Sequence, residues 1–122
     1  MRVLIVDDYV NAAIACCKLF QLLGHEPRCA FSGDHALALL QTYMPDVIVL
    51  DLDMPGATGY DVARAIRASH QGARVFIAAL TGTTIEIHRC LAAGFDLHVM
   101  KPASAEKLVA ITTAAANRRA IA

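Results

Sequence analysis

The chain alternates between short runs of apolar residues and longer segments in which apolar residues recur every three or four positions. Unbroken apolar runs are typical of strands buried on both faces of a parallel sheet, and the longer spacing is typical of helices packed on that sheet. The runs predict five strands, over residues 3–6, 26–31, 47–50, 74–80 and 96–100. The intervening segments predict five helices, over residues 10–23, 34–43, 60–69, 84–93 and 105–119.

The regular alternation of strands and helices predicts an α/β fold in which one parallel sheet is covered on both faces. Right-handed crossovers and a length of 122 residues favour a doubly wound, flavodoxin-like sheet of five strands in the order 2-1-3-4-5. Because no internal repeat, linker or low-complexity tract interrupts this pattern, we predict a single domain over residues 1–122.

Polar residues and glycines predict where several helices begin and end. Ser32 and Ser104 are expected to cap the N-termini of the second and fifth helices, and Gly24 is expected to close the first. In the third helix, Arg64 and Arg67 fall outside the apolar stripe, so we predict that both face solvent.

Composition excludes several classes of protein. Apolar residues make up 57% of the chain, which is too many for disorder, yet no apolar run is long enough to span a membrane. Asp7 and Asp8 interrupt the N-terminal apolar run too early for a signal peptide, so we predict a cytoplasmic protein. The 11 basic and 11 acidic residues cancel, which gives no bulk electrostatic attraction to nucleic acid.

The four cysteines do not have the spacing of a metal site. Cys16 and Cys17 are adjacent, Cys29 and Cys90 are distant in sequence, and no CxxC pair occurs. In a reducing compartment, cysteines of this kind are expected to act as small buried hydrophobic residues.

Chemically active side chains follow four of the five predicted strands. They are Asp7, Asp8, Asp51, Thr81 and Lys101. Because ligands of open α/β sheets bind beyond the carboxyl ends of the strands, we expect these side chains to converge there. Three carboxylates repel one another unless a cation joins them, and oxygen ligands of this kind suit Mg²⁺, with Mn²⁺ as the alternative.

The predicted cluster is suited to phosphoryl chemistry. An aspartate can attack a phosphorus centre while a metal ion and Lys101 neutralise the developing charge, and the Thr81 hydroxyl can donate to a phosphoryl oxygen. Each residue alone has an ordinary structural explanation, such as a turn or helix cap. The prediction therefore depends on all five residues occurring at strand ends.

These residues resemble the receiver (CheY-like) domain of bacterial two-component response regulators, over residues 2–118. The matching motifs are Asp7–Asp8, the segment 51–55 with Gly59, Thr81–Gly82 and Lys101–Pro102. The resemblance implies that Asp51 accepts a phosphoryl group from a histidine kinase or a histidine phosphotransfer protein. It also implies a cis peptide bond between Lys101 and Pro102, which proline makes accessible.

The resemblance also implies the metal ligands and two tuning positions. Mg²⁺ would be held by the side chains of Asp8 and Asp51 and by the backbone carbonyl of Asp53, with Asp7 binding directly or through water. The side chains of Asp53 and Thr83 would tune the lifetime of the phosphoryl-aspartate.

One position departs from the family pattern. Three residues before Lys101, where the family usually has Tyr or Phe, this chain has His98. The aromatic ring normally turns inward when the switch residue, here Thr81, engages the phosphoryl group. We hypothesise a weakened or altered switch, which depends on pH because imidazole changes charge near neutrality. The alternative is that His98 is a tolerated neutral substitute.

The family resemblance predicts a signalling domain rather than an enzyme, with self-phosphorylation from small phosphodonors and autodephosphorylation. Phosphorylation would switch the surface formed by residues 84–93, 96–100 and 105–119, which we call the readout face. Its partner would be a downstream protein or output domain, or a second copy of the chain. The protein would be a stand-alone receiver, which docks to a partner or passes the phosphoryl group on in a phosphorelay, or the N-terminal receiver of a longer regulator.

Two other functions fit part of the pattern. Asp51 and Asp53 have the spacing of the aspartates in haloacid-dehalogenase-type phosphohydrolases, but that family places the pair after its first strand, where this chain has Asp7 and Asp8. A receiver-shaped interaction module that works without phosphorylation is the second alternative. Turnover of small phosphate esters would support the first, and failure of Asp51 to accept phosphate would support the second.

Overall fold

The computed structural model describes residues 1–54, 59–69, 74–82, 89 and 92–121, with side chains as far as residue 118. Its five strands are β1 (Arg2–Val6), β2 (Glu26–Ala30), β3 (Val47–Asp51), β4 (Phe76–Thr81) and β5 (Leu97–Met100). They form one parallel sheet in the order β2-β1-β3-β4-β5. The predicted fold class and strand order are confirmed.

Four helices lie within the described residues. They are α1 (Val10–Leu22), α2 (Gly33–Leu39), α3 (Gly59–Ala68) and α4 (Ala105–Ile121). The helix predicted over residues 84–93 lies mostly outside the described part of the chain, in which Arg89, Ala92 and Ala93 are helical. Ser32 caps α2 as predicted, because its Oγ accepts a hydrogen bond from the His35 amide at 3.0 Å.

The sheet separates two apolar clusters because successive residues of a strand point to opposite faces. Helices α1 and α4 cover one face and helices α2 and α3 cover the other. The first cluster includes Val3, Ile5, Val47, Val49, Phe20, Leu108 and Ile111. The second includes Leu4, Val6, Ile48, Leu50, Ala36, Val62 and Ile66. The central strands are therefore buried on both faces, as their unbroken apolar runs predict.

Helix α2 is shorter than predicted. The sequence pattern extends it to Tyr43, but the helix ends at Leu39. Tyr43 is buried, its hydroxyl donates to the Glu26 carbonyl at 2.9 Å, and the Arg28 guanidinium lies 4.6 Å from its ring centroid. Tyr43 thus packs on the edge strand β2, and the chain after Leu39 continues as turns, in which the Tyr43 amide donates to the Leu39 carbonyl at 2.8 Å.

The prediction that Arg67 faces solvent is wrong. Its Nη2 atom lies 2.7 Å from a carboxylate oxygen of Asp96, and its other nitrogens donate to the carbonyls of Gly94 and Val75. A Cβ atom on Gly94 would lie 2.8 Å from Arg67 Cγ, so the glycine leaves room for this side chain. Arg118 of α4 binds the same Asp96 oxygen at 2.7 Å. Asp96 therefore joins α3 and α4 at the amino-terminal edge of the sheet.

Two cysteines are also paired, contrary to the expectation from sequence. The structure has a disulfide between Cys17 of α1 and Cys29 of β2, whose Cα atoms are 7.0 Å apart. The two residues meet because α1 packs on β2, and their sequence spacing gives no sign of this contact. Cys16 is a buried free cysteine, as expected, and Cys90 lies outside the described residues.

Among the described residues, no helix is both long enough and apolar enough to span a membrane.

Candidate functional site

The predicted site residues meet at the carboxyl edge of the sheet. Asp51 and Thr81 are the last residues of β3 and β4, and Asp7 and Lys101 directly follow β1 and β5. Parallel strands end at the same edge, so residues that are far apart in sequence become neighbours. At this edge an open cavity of about 710 Å³ is lined by Asp7, Asp51 and Lys101 and by Cys16 of α1.

Three carboxylates form the centre of this site. Asp7, Asp8 and Asp51 each place a carboxylate oxygen within 4.8 Å of the others. Asp7 and Asp51 are buried, with 5% and 3% of their surface exposed, whereas Asp8 is exposed. Three oxygen ligands that open to solvent on one side are suited to a hard divalent cation that keeps several water molecules.

The buried Asp7 carboxyl is strongly affected by its surroundings. Its pKa is raised to about 6, mainly because an ionised carboxylate loses hydration on burial and also because of the nearby Asp51. A hydrogen bond from the Tyr9 amide at 3.0 Å and the positive charge of Lys101 act in the opposite direction. The folded protein therefore holds the Asp7 proton more tightly than an unfolded chain does.

Among the described residues, Lys101 is the positively charged side chain in contact with the carboxylate cluster. Its Nζ atom lies 3.0 Å from Asp51 Oδ1 and 3.7 Å from Asp53 Oδ2. Burial on its own lowers the pKa of Lys101, but the Asp51 carboxylate, with help from Asp7 and Asp53, outweighs burial and raises it. Lys101 is therefore held as a charged ammonium group beside Asp51.

The backbone holds β4 and β5 in register beside the site. The Lys101 amide donates to the Thr81 carbonyl at 2.6 Å, and the peptide bond between Lys101 and Pro102 is cis. Thr81 is buried at the end of β4. Thr83, the second residue proposed to tune the site, lies outside the described residues.

His98 lies on β5 opposite Ala79 of β4. Leu97 and Val99 pack against the cluster under α1 and α4, so His98 points to the other face of the sheet. Its Nε2 atom is buried and has no hydrogen-bond partner in the part of the chain that the structure describes.

The side chain of Asp53 has contacts that the sequence did not predict. The Gly82 amide donates to Asp53 Oδ2 at 3.0 Å, and the same oxygen lies 3.7 Å from Lys101 Nζ. The Asp53 amide donates to Asp51 Oδ1 at 3.0 Å. The sequence showed that Asp53 follows Asp51 by two residues, but the contact with Gly82 depends on the meeting of the β3 and β4 ends.

Gly59 allows α3 to begin against the end of β3. A Cβ atom at this position would lie 2.7 Å from Leu52 Cδ2 and 2.8 Å from the Asp51 carbonyl oxygen. We expect Gly59→Ala to lower the free energy of unfolding by about 1–3 kcal/mol, because a contact with backbone requires the strand end to shift. Urea unfolding measures this difference.

Gly82→Ala is the matched control for Gly59→Ala. A Cβ atom on Gly82 would lie 3.8 Å from Asp53 Oδ2 and 3.9 Å from Lys101 Cδ, which are ordinary contact distances. We expect its free energy of unfolding to remain within about 0.5 kcal/mol of the wild-type value. Equal losses for the two variants would contradict the close approach at Gly59.

A comparison with protein families decides the classification. The response regulator receiver domain matches residues 3–113 of this chain, which includes all the residues of the carboxylate cluster. The chain belongs to the response regulator receiver family. It is a receiver domain of two-component signalling systems, and it is related in sequence to receiver-containing regulators and sensors.

Two curated relatives show the kinds of protein in which such receiver domains occur. The virulence sensor protein BvgS of Bordetella bronchiseptica is 34% identical over 99% of this chain and 10% of BvgS. The DNA-binding response regulator MtrA of Mycolicibacterium paratuberculosis is 32% identical over 96% of this chain and 52% of MtrA. The receiver domain thus spans about a tenth of one relative and about half of the other.

Solved structures support the same fold. The chemotaxis protein CheY4 of Vibrio cholerae has a TM-score of 0.88 and 31% identity, with 92% of this chain and 95% of CheY4 covered. The receiver domain of the sensor histidine kinase PA1611 of Pseudomonas aeruginosa has a TM-score of 0.84 and 26% identity, with 94% and 97% covered. That structure contains a magnesium ion coordinated in its active site cleft.

Proposed function

We propose that Asp51 is the phosphoacceptor of this receiver domain and that it takes a phosphoryl group from a phosphohistidine in a Mg²⁺-dependent reaction. The observation that carries the proposal is the buried Asp51 carboxylate, which lies 3.0 Å from the Lys101 ammonium group and within 4.8 Å of two further carboxylates. This arrangement combines a nucleophile with a fixed positive charge and a set of metal ligands.

The donor set fits Mg²⁺. Asp7, Asp8 and Asp51 supply oxygen atoms that lie close together, and Lys101 is the positively charged group beside them in the described residues, so a divalent cation would balance their remaining negative charge. The backbone carbonyl of Asp53 is the proposed fourth ligand, and Mn²⁺ is the alternative ion. When bound, the metal ion supplies positive charge that stabilises the phosphoryl oxygens during transfer.

The side chains would then act in distinct ways. An oxygen of Asp51 forms the new bond to phosphorus, and the bond from phosphorus to the donor nitrogen breaks, so the imidazole leaves with the electron pair. Lys101 neutralises charge on the phosphoryl oxygens from its position beside Asp51. The Thr81 hydroxyl donates a hydrogen bond to one of these oxygens.

The phosphodonor would be a histidine kinase or a histidine phosphotransfer protein. With small donors such as acetyl phosphate, the same residues would give self-phosphorylation, and water would later remove the phosphoryl group. Phosphorylation would alter the readout face for a downstream protein, an output domain or a second copy of the chain. We place the domain in the cytoplasm, and we propose that residues 1–122 form one receiver unit.

We further propose that His98 weakens the coupling between Thr81 and the readout face. It points to the same face of the sheet as the Thr81 side chain, but it replaces the usual phenol or phenyl ring with an imidazole. We expect beryllofluoride, a phosphoryl mimic, to cause larger amide chemical-shift changes in β5 and α4 in His98→Tyr than in wild type. Equal changes in the two proteins would show that His98 is a neutral substitute.

The test of the phosphoacceptor is intact mass after incubation with acetyl phosphate. We expect one phosphoryl adduct on the wild type in the presence of Mg²⁺, none after chelation with EDTA, and none on Asp51→Asn. The asparagine variant keeps the size of the side chain and removes the nucleophilic carboxylate.

The other outcomes favour the alternative functions. Continuous turnover of phosphate esters without a stable adduct would support a phosphohydrolase. If the wild type gains no adduct and beryllofluoride also fails to bind, the interaction module that works without phosphorylation is the better description.

A further inference from the structure

The Asp53 carboxylate contacts two hydrogen-bond donors beside the Asp51 carboxylate. Its Oδ2 atom accepts the Gly82 amide proton at 3.0 Å and forms an ion pair with Lys101 Nζ at 3.7 Å, and Lys101 Nζ is itself 3.0 Å from Asp51 Oδ1. A backbone amide that directly follows β4 and a side chain that directly follows β5 therefore converge on one carboxylate oxygen. The Asp53 carboxylate is thus an anion of the protein itself that lies beside the phosphoacceptor.

A phosphoryl group on Asp51 needs the same donors. Its oxygens carry negative charge, and besides Thr81, Lys101 and the Gly82 amide can pair with them, because both line the same cavity as Asp51. Asp53 cannot keep its contacts with Lys101 and the Gly82 amide while a phosphoryl oxygen binds the same two groups, because the two anions repel each other. The Asp53 side chain is 43% exposed, so it can turn out to solvent without leaving an unpaired buried charge.

We propose that Asp53 is an internal competitor of the phosphoryl group, which holds Lys101 and the Gly82 amide until an incoming phosphoryl group displaces it. This inference deepens the proposed function, on which it rests, by assigning the Asp53 side chain an inhibitory role in the unphosphorylated state. The competitor slows phosphorylation by small anionic donors such as acetyl phosphate, because these donors bind with few other contacts.

The test compares initial rates of phosphorylation by acetyl phosphate at saturating Mg²⁺ in four proteins. They are the wild type, Asp53→Asn, Asp53→Ala and Asp34→Asn. Asparagine at position 53 keeps an oxygen that can accept from Gly82 but removes the charge that attracts Lys101, whereas alanine removes both contacts. Asp34 is exposed in the first turn of α2, which follows the carboxyl end of β2, so its variant controls for the loss of one negative charge at the same edge of the sheet.

We expect the second-order rate constant to rise by about fivefold to tenfold in Asp53→Ala, since one exposed ion pair and one charge-assisted hydrogen bond are lost. Asp53→Asn is expected to lie between this variant and wild type, and Asp34→Asn to stay within about twofold of wild type. The affinity for beryllofluoride, measured in parallel, should also be highest in Asp53→Ala, intermediate in Asp53→Asn and lowest in wild type. If Asp53 only stabilised the fold, its replacement would not increase this affinity.

Several results would overturn the proposal. Rates and beryllofluoride affinities of both Asp53 variants at or below wild type would exclude competition. An equal rise of the rate constant in Asp34→Asn would show that the effect comes from net charge alone. If no protein is phosphorylated, the proposed function fails, but the competitor is still decided by beryllofluoride: tighter binding to Asp53→Ala supports it, and equal or absent binding contradicts it.

Discussion

Asp7→Asn is expected to raise the free energy of unfolding of the metal-free protein by about 2–3 kcal/mol at pH 7, because burial holds the pKa of Asp7 at about 6 in the folded state. The ordinary value is 3.8. Between these two values the folded protein keeps the proton and the unfolded chain releases it. Stability from this group therefore falls as the pH rises from about 4 to about 6, and it is lowest above that range.

Urea unfolding in EDTA between pH 4 and pH 8 measures this effect. The difference in the free energy of unfolding between Asp7→Asn and wild type should grow from about pH 4 to about pH 6 and then level off. Asp34→Asn is the control: this exposed carboxylate lies in the first turn of α2, where it favours the helix, so its loss should cost roughly 0.3–1 kcal/mol. A wild-type-like or lower stability of Asp7→Asn at pH 7 would contradict the raised pKa of the buried Asp7 carboxyl.

The same variant should respond differently to Mg²⁺. Saturating Mg²⁺ stabilises wild type because the ion binds the folded state alone. The increase in the free energy of unfolding grows with the ratio of the Mg²⁺ concentration to the dissociation constant. We expect the affinity of Asp7→Asn for Mg²⁺ to fall by about 10-fold or more, as one anionic oxygen is removed from the ligand set. Asp7 is thus expected to decrease the stability of the free protein and to increase its affinity for the ion.

Lys101→Ala is expected to slow phosphorylation by acetyl phosphate by about 10²- to 10³-fold, the usual effect of removing one fixed donor from a developing negative charge. Its ammonium group is the described cation in contact with Asp51. Mg²⁺ affinity should stay equal or rise, because a positive charge next to the metal ligands is removed. A merely unfolded or distorted site would lose metal affinity as well as rate.

Lys107→Ala is the matched control for Lys101→Ala. Lys107 is six residues further along the chain, and its Nζ atom donates to the Met100 carbonyl at 2.7 Å rather than to a carboxylate of the cluster. We expect its phosphorylation rate to stay within about twofold of wild type. If Lys101→Ala retained more than about a tenth of the wild-type rate, the electrostatic role of Lys101 would be contradicted.

The sequence was most informative where local pattern and burial agree. The apolar runs of β1, β3 and β4 predicted their burial on both faces, and the residues at the ends of these strands predicted where the cluster lies. Side chains at strand ends can be located in this way because parallel strands share one edge.

The errors occurred where a distant contact overrides a local pattern. Tyr43 continues a helical pattern, but it packs on β2, and Arg67 falls on a polar stripe, but it binds Asp96 nearly thirty residues away. The pairing of Cys17 with Cys29 likewise depends on the packing of α1 on β2. None of these contacts has a sequence spacing that predicts it.

The contacts of Asp53 belong to the same class. Its position two residues after Asp51 was visible, but its oxygen reaches Gly82 because β3 and β4 are neighbours in the sheet. Sequence reasoning therefore identified the members of the site, and the structure was needed to show which donors their carboxylates already occupy.

The most direct test of the account is the position of the phosphoryl group in the chain. Phosphorylated wild-type protein is reduced with borohydride, which converts an aspartyl phosphate to homoserine, and the peptides are sequenced by mass spectrometry. The account predicts homoserine at position 51 alone, and only in samples that contained Mg²⁺. Homoserine at position 7, 8 or 53, or a phosphoryl group on a histidine, would contradict it.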